Sequence, residues 1–151
     1  MDFHLAQINI GRAIGDVDGP ALVDFMALLD PVNELADNSP GFVWRMQDED
    51  GNNTALRPYD DDRMIVNMST WETIDALWDF VYKTMHIEVM RRRREWFERF
   101  ESTYLALWWV PAGTIPTIED AKLRLASLDD HGPTPYAFTF KKRFAPEPVP
   151  A

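Results

Sequence analysis

The stretch from Phe80 to Phe97, FVYKTMHIEVMRRRREWF, places a histidine, four consecutive arginines and several aromatic residues within a few helical turns. An imidazole can move a proton near neutral pH, and a guanidinium can bind a carboxylate through paired hydrogen bonds. Successive helical positions are about 100° apart, so Arg91–Arg94 surround the helix and at least one must face the protein. The alternative is that the arginines form ion pairs with nearby acids such as Glu88 or Glu95.

Within this stretch, His86 is the candidate for proton transfer. Met90 and Phe97 fall on adjoining turns of the same helix side as His86, together with either Arg93 or Arg94. Met90, Arg93 and the neighbouring Tyr82 are the candidate ligand-binding residues. A structural histidine in the core is the competing interpretation. The other two histidines, His4 and His131, are weaker candidates, because His4 shares a strand face with apolar residues and His131 suits a helix end.

Polar side chains also alternate along the predicted strands. Asn9 lies on the first strand and Asn67 on the third, and Arg45 lies on the second. If these strands pair, the polar positions share one sheet face with Gln7 and Ser69. We expect Arg45 and Asn67 to act catalytically by orienting substrate oxygens and Asn9 to bind the ligand.

Tryptophans are the candidate apolar walls of a ligand cavity. Trp44 is next to Arg45 on the second strand, so the two side chains point to opposite faces. Trp44 shares the apolar face with Phe42. Trp108 and Trp109 are adjacent on a strand, so their side chains point to opposite faces and only one of them can line a cavity.

The periodicity predicts the element order β-α-β-β-α-β-α-β. This is an α+β fold, a ferredoxin-like antiparallel sheet with helices on one face and an extra C-terminal helix and strand. Pro31 predicts a break in the first helix, and Ser69 with Glu72 predicts a capping box before the second. The predicted strands are Phe3–Ile10, Phe42–Met46, Met64–Met68, Tyr104–Val110 and Tyr136–Phe140, with a tight turn at Asp50-Gly51.

Helices on one side would leave the other sheet face open. A large uncovered surface rich in Trp and Leu predicts a homodimer, in which a second copy covers the sheet. The two facing sheets would enclose a cavity for a small hydrophobic, partly oxygenated molecule. The alternative is a fully packed core.

Composition narrows the classes of partner and compartment. The 151 residues carry a formal net charge of -10 and no cysteine. This charge disfavours nucleic acid and anionic membranes, and the lack of cysteine fits a cytoplasmic protein. The sequence predicts one domain, residues 1–144, and a disordered tail, residues 145–151. We expect no signal peptide, transmembrane helix, metal site or tightly bound cofactor.

Several longer segments resemble one known family. NSPGFVWRMQ, IVNMSTWETIDALWDFVYKTMHIEVMRRRREWF, LALWWVPAGTIPT and HGPTPYAFTFKKRF resemble the DUF3291 family of uncharacterised bacterial proteins. The family is grouped with the dimeric α/β-barrel superfamily, alongside antibiotic-biosynthesis monooxygenases, polyketide cyclases, muconolactone isomerases and haem-degrading enzymes. The resemblance implies this barrel fold and a homodimer without implying a reaction. A histidine often follows the glycine of the PAG segment in the family, whereas this chain has Thr114.

The leading functional hypothesis is an enzyme of secondary or aromatic metabolism. It would carry out a monooxygenation, cyclisation or isomerisation inside the barrel. The second hypothesis is a haem or small-ligand binding protein, with His86 as a possible axial ligand and arginines available for the propionates. The third is a non-catalytic stress or assembly module.

Overall fold

The computed structural model describes residues 2–16, 19–47, 63–84, 86–99 and 103–146. It is an α+β fold, as predicted, built on an antiparallel sheet of four strands in the order β2-β3-β1-β4. The strands are β1 (Phe3–Arg12), β2 (Phe42–Arg45), β3 (Met64–Trp71) and β4 (Leu105–Pro111), and the helices are α1 (Val23–Asp37), α2 (Ile74–Lys83), α3 (His86–Arg91), α4 (Arg93–Trp96) and α5 (Ile118–His131), with a 3-10 turn at Pro20–Leu22.

The two faces of the sheet are both covered within one chain. Ile8 and its neighbours on alternate positions of β1 pack with Leu125 and Leu128 of α5. On the other face, Leu5 packs with Leu77 of α2 and with α1. The prediction of helices on one face is therefore wrong, because α5 crosses to the opposite side.

This coverage removes the argument that led to the homodimer. The apolar face that was expected to need a second copy is buried by α5, with Val66 and Met68 each 2% exposed and Trp108 fully buried. No large apolar area of that face is left to drive association. The homodimer stays a prediction without this support.

The starts and breaks of the helices differ from the sequence pattern in two places. α1 continues through Pro31, because the turns on both sides of the proline are anchored in the core, Phe25 in one cluster and Ala36 in another. That packing outweighs the hydrogen bond lost at proline.

The cap of α2 also differs from the prediction. Ser69 is not a helix cap but a residue of β3. The Oγ1 of Thr73 caps α2 by accepting a hydrogen bond from the Ala76 amide at 3.0 Å.

The helical region predicted after the Ser69 capping box is divided into shorter helices. α2 ends at Lys83, and Thr84 has extended backbone angles. A second break at Arg92 separates α3 from α4. Three separate helices, α2, α3 and α4, therefore replace a single long helix.

The C-terminal segment does not form the predicted strand Tyr136–Phe140. Only Phe138 bridges to β4, through reciprocal backbone hydrogen bonds with Leu107 at 2.8 and 2.9 Å. The chain then passes to the side of the sheet that carries α2, where the indole Nε1 of Trp109 donates to the Phe144 carbonyl at 2.7 Å. The predicted turn at Asp50-Gly51 and the tail from residue 147 onward lie outside the described residues.

Across the part of the chain described here, no helix combines the length and the apolar character needed to cross a bilayer.

Candidate functional site

A cavity of about 380 Å³ lies between one face of the sheet and helices α1–α4. Its floor carries the polar side chains of β1 and β3, and its walls are mostly apolar residues of α1 and α2, such as Leu29 and Phe80. The sequence predicted a cavity between the facing sheets of two copies. The cavity is instead enclosed by one chain. Seven of the predicted site residues line it: Asn9, Arg45, Asn67, Tyr82, His86, Met90 and Arg93.

The polar floor is a connected amide network. Gln7 Nε2 donates to Asn67 Oδ1 at 2.6 Å and to Ser69 Oγ at 2.7 Å. Asn9 Nδ2 donates to Gln7 Oε1 at 3.1 Å and to Asn67 Oδ1 at 3.3 Å. These bonds use Asn67 Oδ1 twice, so Asn67 Nδ2 and Asn9 Oδ1 are the groups left to face a ligand.

Arg45 is already engaged by an acid. Its Nε donates to Asp37 Oδ1 at 2.8 Å, and its Nη2 lies 3.3 Å from Asp37 Oδ2. This paired geometry joins β2 to the end of α1 and satisfies much of the guanidinium. Arg45 therefore forms part of the cavity wall with its charge balanced by the protein.

The four consecutive arginines have separate environments. Arg91 pairs with Glu88 at 2.6 Å, and Arg92 pairs with Glu95 at 2.9 Å, as the ion-pair interpretation expected. Arg93 instead turns inward and lines the cavity. The break between α3 and α4 sets this direction, which the helical pattern had left open between Arg93 and Arg94.

His86 lies at the first turn of α3, with its ring centroid 4.9 Å from that of Phe80. Its Nδ1 is buried and has no hydrogen-bond partner among the residues that the structure describes. Burial lowers the pKa of His86 below its ordinary value of 6.5, and a hydrogen bond with the Val81 backbone offsets this only in part. The ring is therefore neutral at neutral pH and can accept a proton.

The lowered pKa of His86 predicts a pH-dependent stability. The unfolded chain binds a proton at this residue more readily than the folded protein, so the His86 contribution is complete above about pH 6.5 and is lost as pH falls. We expect His86→Gln to flatten the decline in urea midpoint between about pH 7 and pH 5 relative to wild type. The exposed His131→Gln variant is the control; parallel wild-type and His86→Gln curves would contradict the prediction.

The predicted tryptophan walls lie elsewhere. Trp44 and Trp108 belong to the core beneath α5, and Trp109 packs with Phe138 and the C-terminal segment. None of the three lines the cavity, so these ligand-binding predictions are corrected. Phe42 does line it, because a register shift between Phe42 and Trp44 changes the face to which Phe42 points.

Some lining residues were missed as site residues. Gln7 joins the whole amide network, and its alternation with Asn9 was the signal available in the sequence. Tyr104 and Phe140 also line the cavity. Phe140 arrives there only because the C-terminal segment crosses to this side, and no local sequence pattern indicates that crossing.

Metal ligands are not gathered in this part of the molecule. Among the described residues, no group of three or more His, Cys, Asp or Glu side chains is placed to hold a metal ion.

The comparisons identify a family without a known activity. No curated protein matches the sequence significantly. A crystal structure of a protein of unknown function from Nitrosomonas europaea matches with 13% identity, over 76% of this chain and 96% of that one, at a TM-score of 0.46; this likeness carries no argument about function. The family described as "Domain of unknown function (DUF3291)" matches residues 4–150. The chain therefore belongs to the DUF3291 family.

Proposed function

We propose that the protein is a small-molecule enzyme that acts on a mostly apolar, oxygen-bearing substrate in the cavity beneath α1–α4. One observation carries this proposal. Asn67, His86 and Arg93 come from three different elements, and each brings polar capacity that the protein does not use to the same apolar cavity. Convergent polar groups among apolar walls are typical of small-molecule sites.

The arrangement suits chemistry in which a proton leaves carbon and charge develops on oxygen. Neutral His86 would take the proton, Asn67 Nδ2 would stabilise the oxyanion, and the Arg93 guanidinium would hold the substrate beside them. Because Nδ1 is covered, the imidazole must move slightly when it acts. Isomerisation, cyclisation and cofactor-independent monooxygenation all begin in this way, and they are the reaction types proposed here.

Activity profiling against a pool of cellular metabolites tests this proposal. We expect the wild-type protein to deplete at least one metabolite and to form a product of related mass, both followed by liquid chromatography and mass spectrometry. His86→Gln should lower that rate by about 100-fold or more, because it removes the base. The exposed His131→Gln variant should retain the rate. Binding of metabolites without any conversion would indicate a binding protein instead.

The finer fold assignment belongs to the same proposal. The β-α-β-β-α-β order with strands arranged β2-β3-β1-β4 supports a ferredoxin-like arrangement with α5 added on the second face. The dimeric α/β barrel and the homodimer remain proposals drawn from the family resemblance. A cytoplasmic location is likewise proposed, from the lack of cysteine.

Haem binding is the weaker alternative. An axial histidine needs a ring nitrogen directed to the iron, whereas His86 Nδ1 is covered and the ring packs against Phe80. A non-catalytic stress or assembly module would have its cavity filled by side chains. The open volume beside His86 therefore favours the enzyme proposal over this third hypothesis.

A further inference from the structure

We infer that the ligand of this cavity carries a carboxylate and that Arg93 binds it. The inference rests on the proposed function, because it assumes that a small molecule occupies the cavity. It adds the charge and the chemical class of that molecule. Its basis is a cation at the cavity surface that no acid among the described residues neutralises.

The charge balance of the chain makes this cation unusual. Asp and Glu total 25 against 15 Lys and Arg, so acids are abundant, and both preceding arginines, Arg91 and Arg92, have acid partners. Among the described residues no carboxylate contacts the Arg93 guanidinium. A partly buried cation without a counter-ion is costly, and an anionic ligand would reduce that cost.

The protein holds the Arg93 guanidinium in a defined position. Nη2 donates to the Ile10 carbonyl at 3.1 Å, and Cζ lies 5.2 Å from the Phe97 ring centroid and 4.8 Å from that of Tyr104. This one backbone bond leaves most of the five N–H donors unused. A guanidinium fixed by two aromatic rings is prepared to bind a planar carboxylate through paired hydrogen bonds.

The rest of the site favours a carboxylate over a phosphate. The walls near Arg93 are apolar and aromatic, and no second unpaired cation lines the cavity among the described residues, since Arg45 is held by Asp37. A dianion would therefore be poorly compensated in an acidic protein. A monoanion with an aromatic or aliphatic body matches the single guanidinium and the surrounding surface.

Cinnamate and its neutral amide, cinnamamide, are probes that separate the anion from the apolar body. Isothermal titration calorimetry of the 151-residue protein near neutral pH should show cinnamate binding about tenfold or more tightly than cinnamamide. Arg93→Gln should remove this preference by lowering cinnamate affinity much more than cinnamamide affinity. Arg93→Lys should keep part of the preference, because lysine retains the positive charge but cannot donate the paired hydrogen bonds of a planar guanidinium.

Arg91→Gln is the matched control, since it makes the same charge change at an exposed residue paired with Glu88. It should leave the cinnamate preference unchanged. Equal binding of the two probes to wild type, or a preference that survives in folded Arg93→Gln, would overturn the carboxylate inference and leave the small-molecule cavity in place. Failure of both probes to bind at millimolar concentration would count against the inference and the proposed function together. The wild-type comparison decides the matter even if the Arg93 variants do not fold.

Discussion

Replacing Trp108 with alanine should lower the free energy of unfolding by about 3–5 kcal/mol. Trp108 is fully buried between the sheet and α5, where it packs with Ile8, Val66 and Leu125. Truncation leaves a void in a region that neighbouring strands and a helix keep from collapsing. Since domains are commonly stable by about 5–15 kcal/mol, this loss would be a large part of the total. Urea denaturation measures it.

Two companion variants identify the cause. The indole Nε1 of Trp108 has no hydrogen-bond partner in the described part of the chain. Trp108→Phe should therefore cost much less than Trp108→Ala, since it loses volume but no bond. Trp44→Ala, at a less buried position of the same cluster, should also cost less. Cinnamamide affinity should stay at the wild-type value in all folded variants, because the cavity is on the other face. A loss below about 1 kcal/mol in Trp108→Ala would show that the site collapses or is not packed as described.

Gln7→Met should produce the second large effect, a loss of about 2–4 kcal/mol in unfolding free energy. Gln7 is 3% exposed, and methionine has a similar length but cannot make the bonds to Asn67, Ser69 and Asn9. The expected loss is the sum of three hydrogen bonds of ordinary net strength. The same variant should weaken ligand binding, because Asn67 and Asn9 lose the partner that orients them.

Gln47→Met is the matched control for Gln7→Met. Gln47 is exposed, so the identical chemical change should alter stability by less than about 0.5 kcal/mol. Urea midpoints give the stability of both variants, and calorimetry with cinnamamide gives their affinity. If Gln7→Met destabilised the protein without changing affinity, the amide network would support the fold but would not position the ligand.

Part of the candidate site was predictable because strand periodicity is local. Side chains two residues apart on a strand point to the same face whatever the tertiary structure. Asn9 and Gln7 on β1, and Asn67 and Ser69 on β3, were therefore placed together from the sequence, and the register that pairs Asn9 with Asn67 agrees. The same rule placed Trp108 and Trp109 on opposite faces, although it could not say what covers each face.

The inward position of Arg93 shows a limit of helical periodicity. A continuous helix would leave Arg93 and Arg94 as equal candidates, since both lie near the side that carries His86. The helix breaks at Thr84 and Arg92 determine the choice, and the contacts of Arg93 with Ile10 and Tyr104 join it to residues distant in sequence. Such contacts depend on how the elements pack, so the sequence pattern alone does not indicate them.

The sequence by itself determined the α+β class, the existence of four of the strands and the polar floor of the cavity, because these follow from alternation and helical spacing within short segments. Only the tertiary structure decided which helices cover each sheet face. α5 packs on the Trp108 side and Phe140 reaches the cavity from the C-terminal segment. The physical reason is that an amphipathic helix has an apolar side but no local signal for the face of the sheet that it will bury. The cavity within one chain, rather than between two copies, follows from that packing.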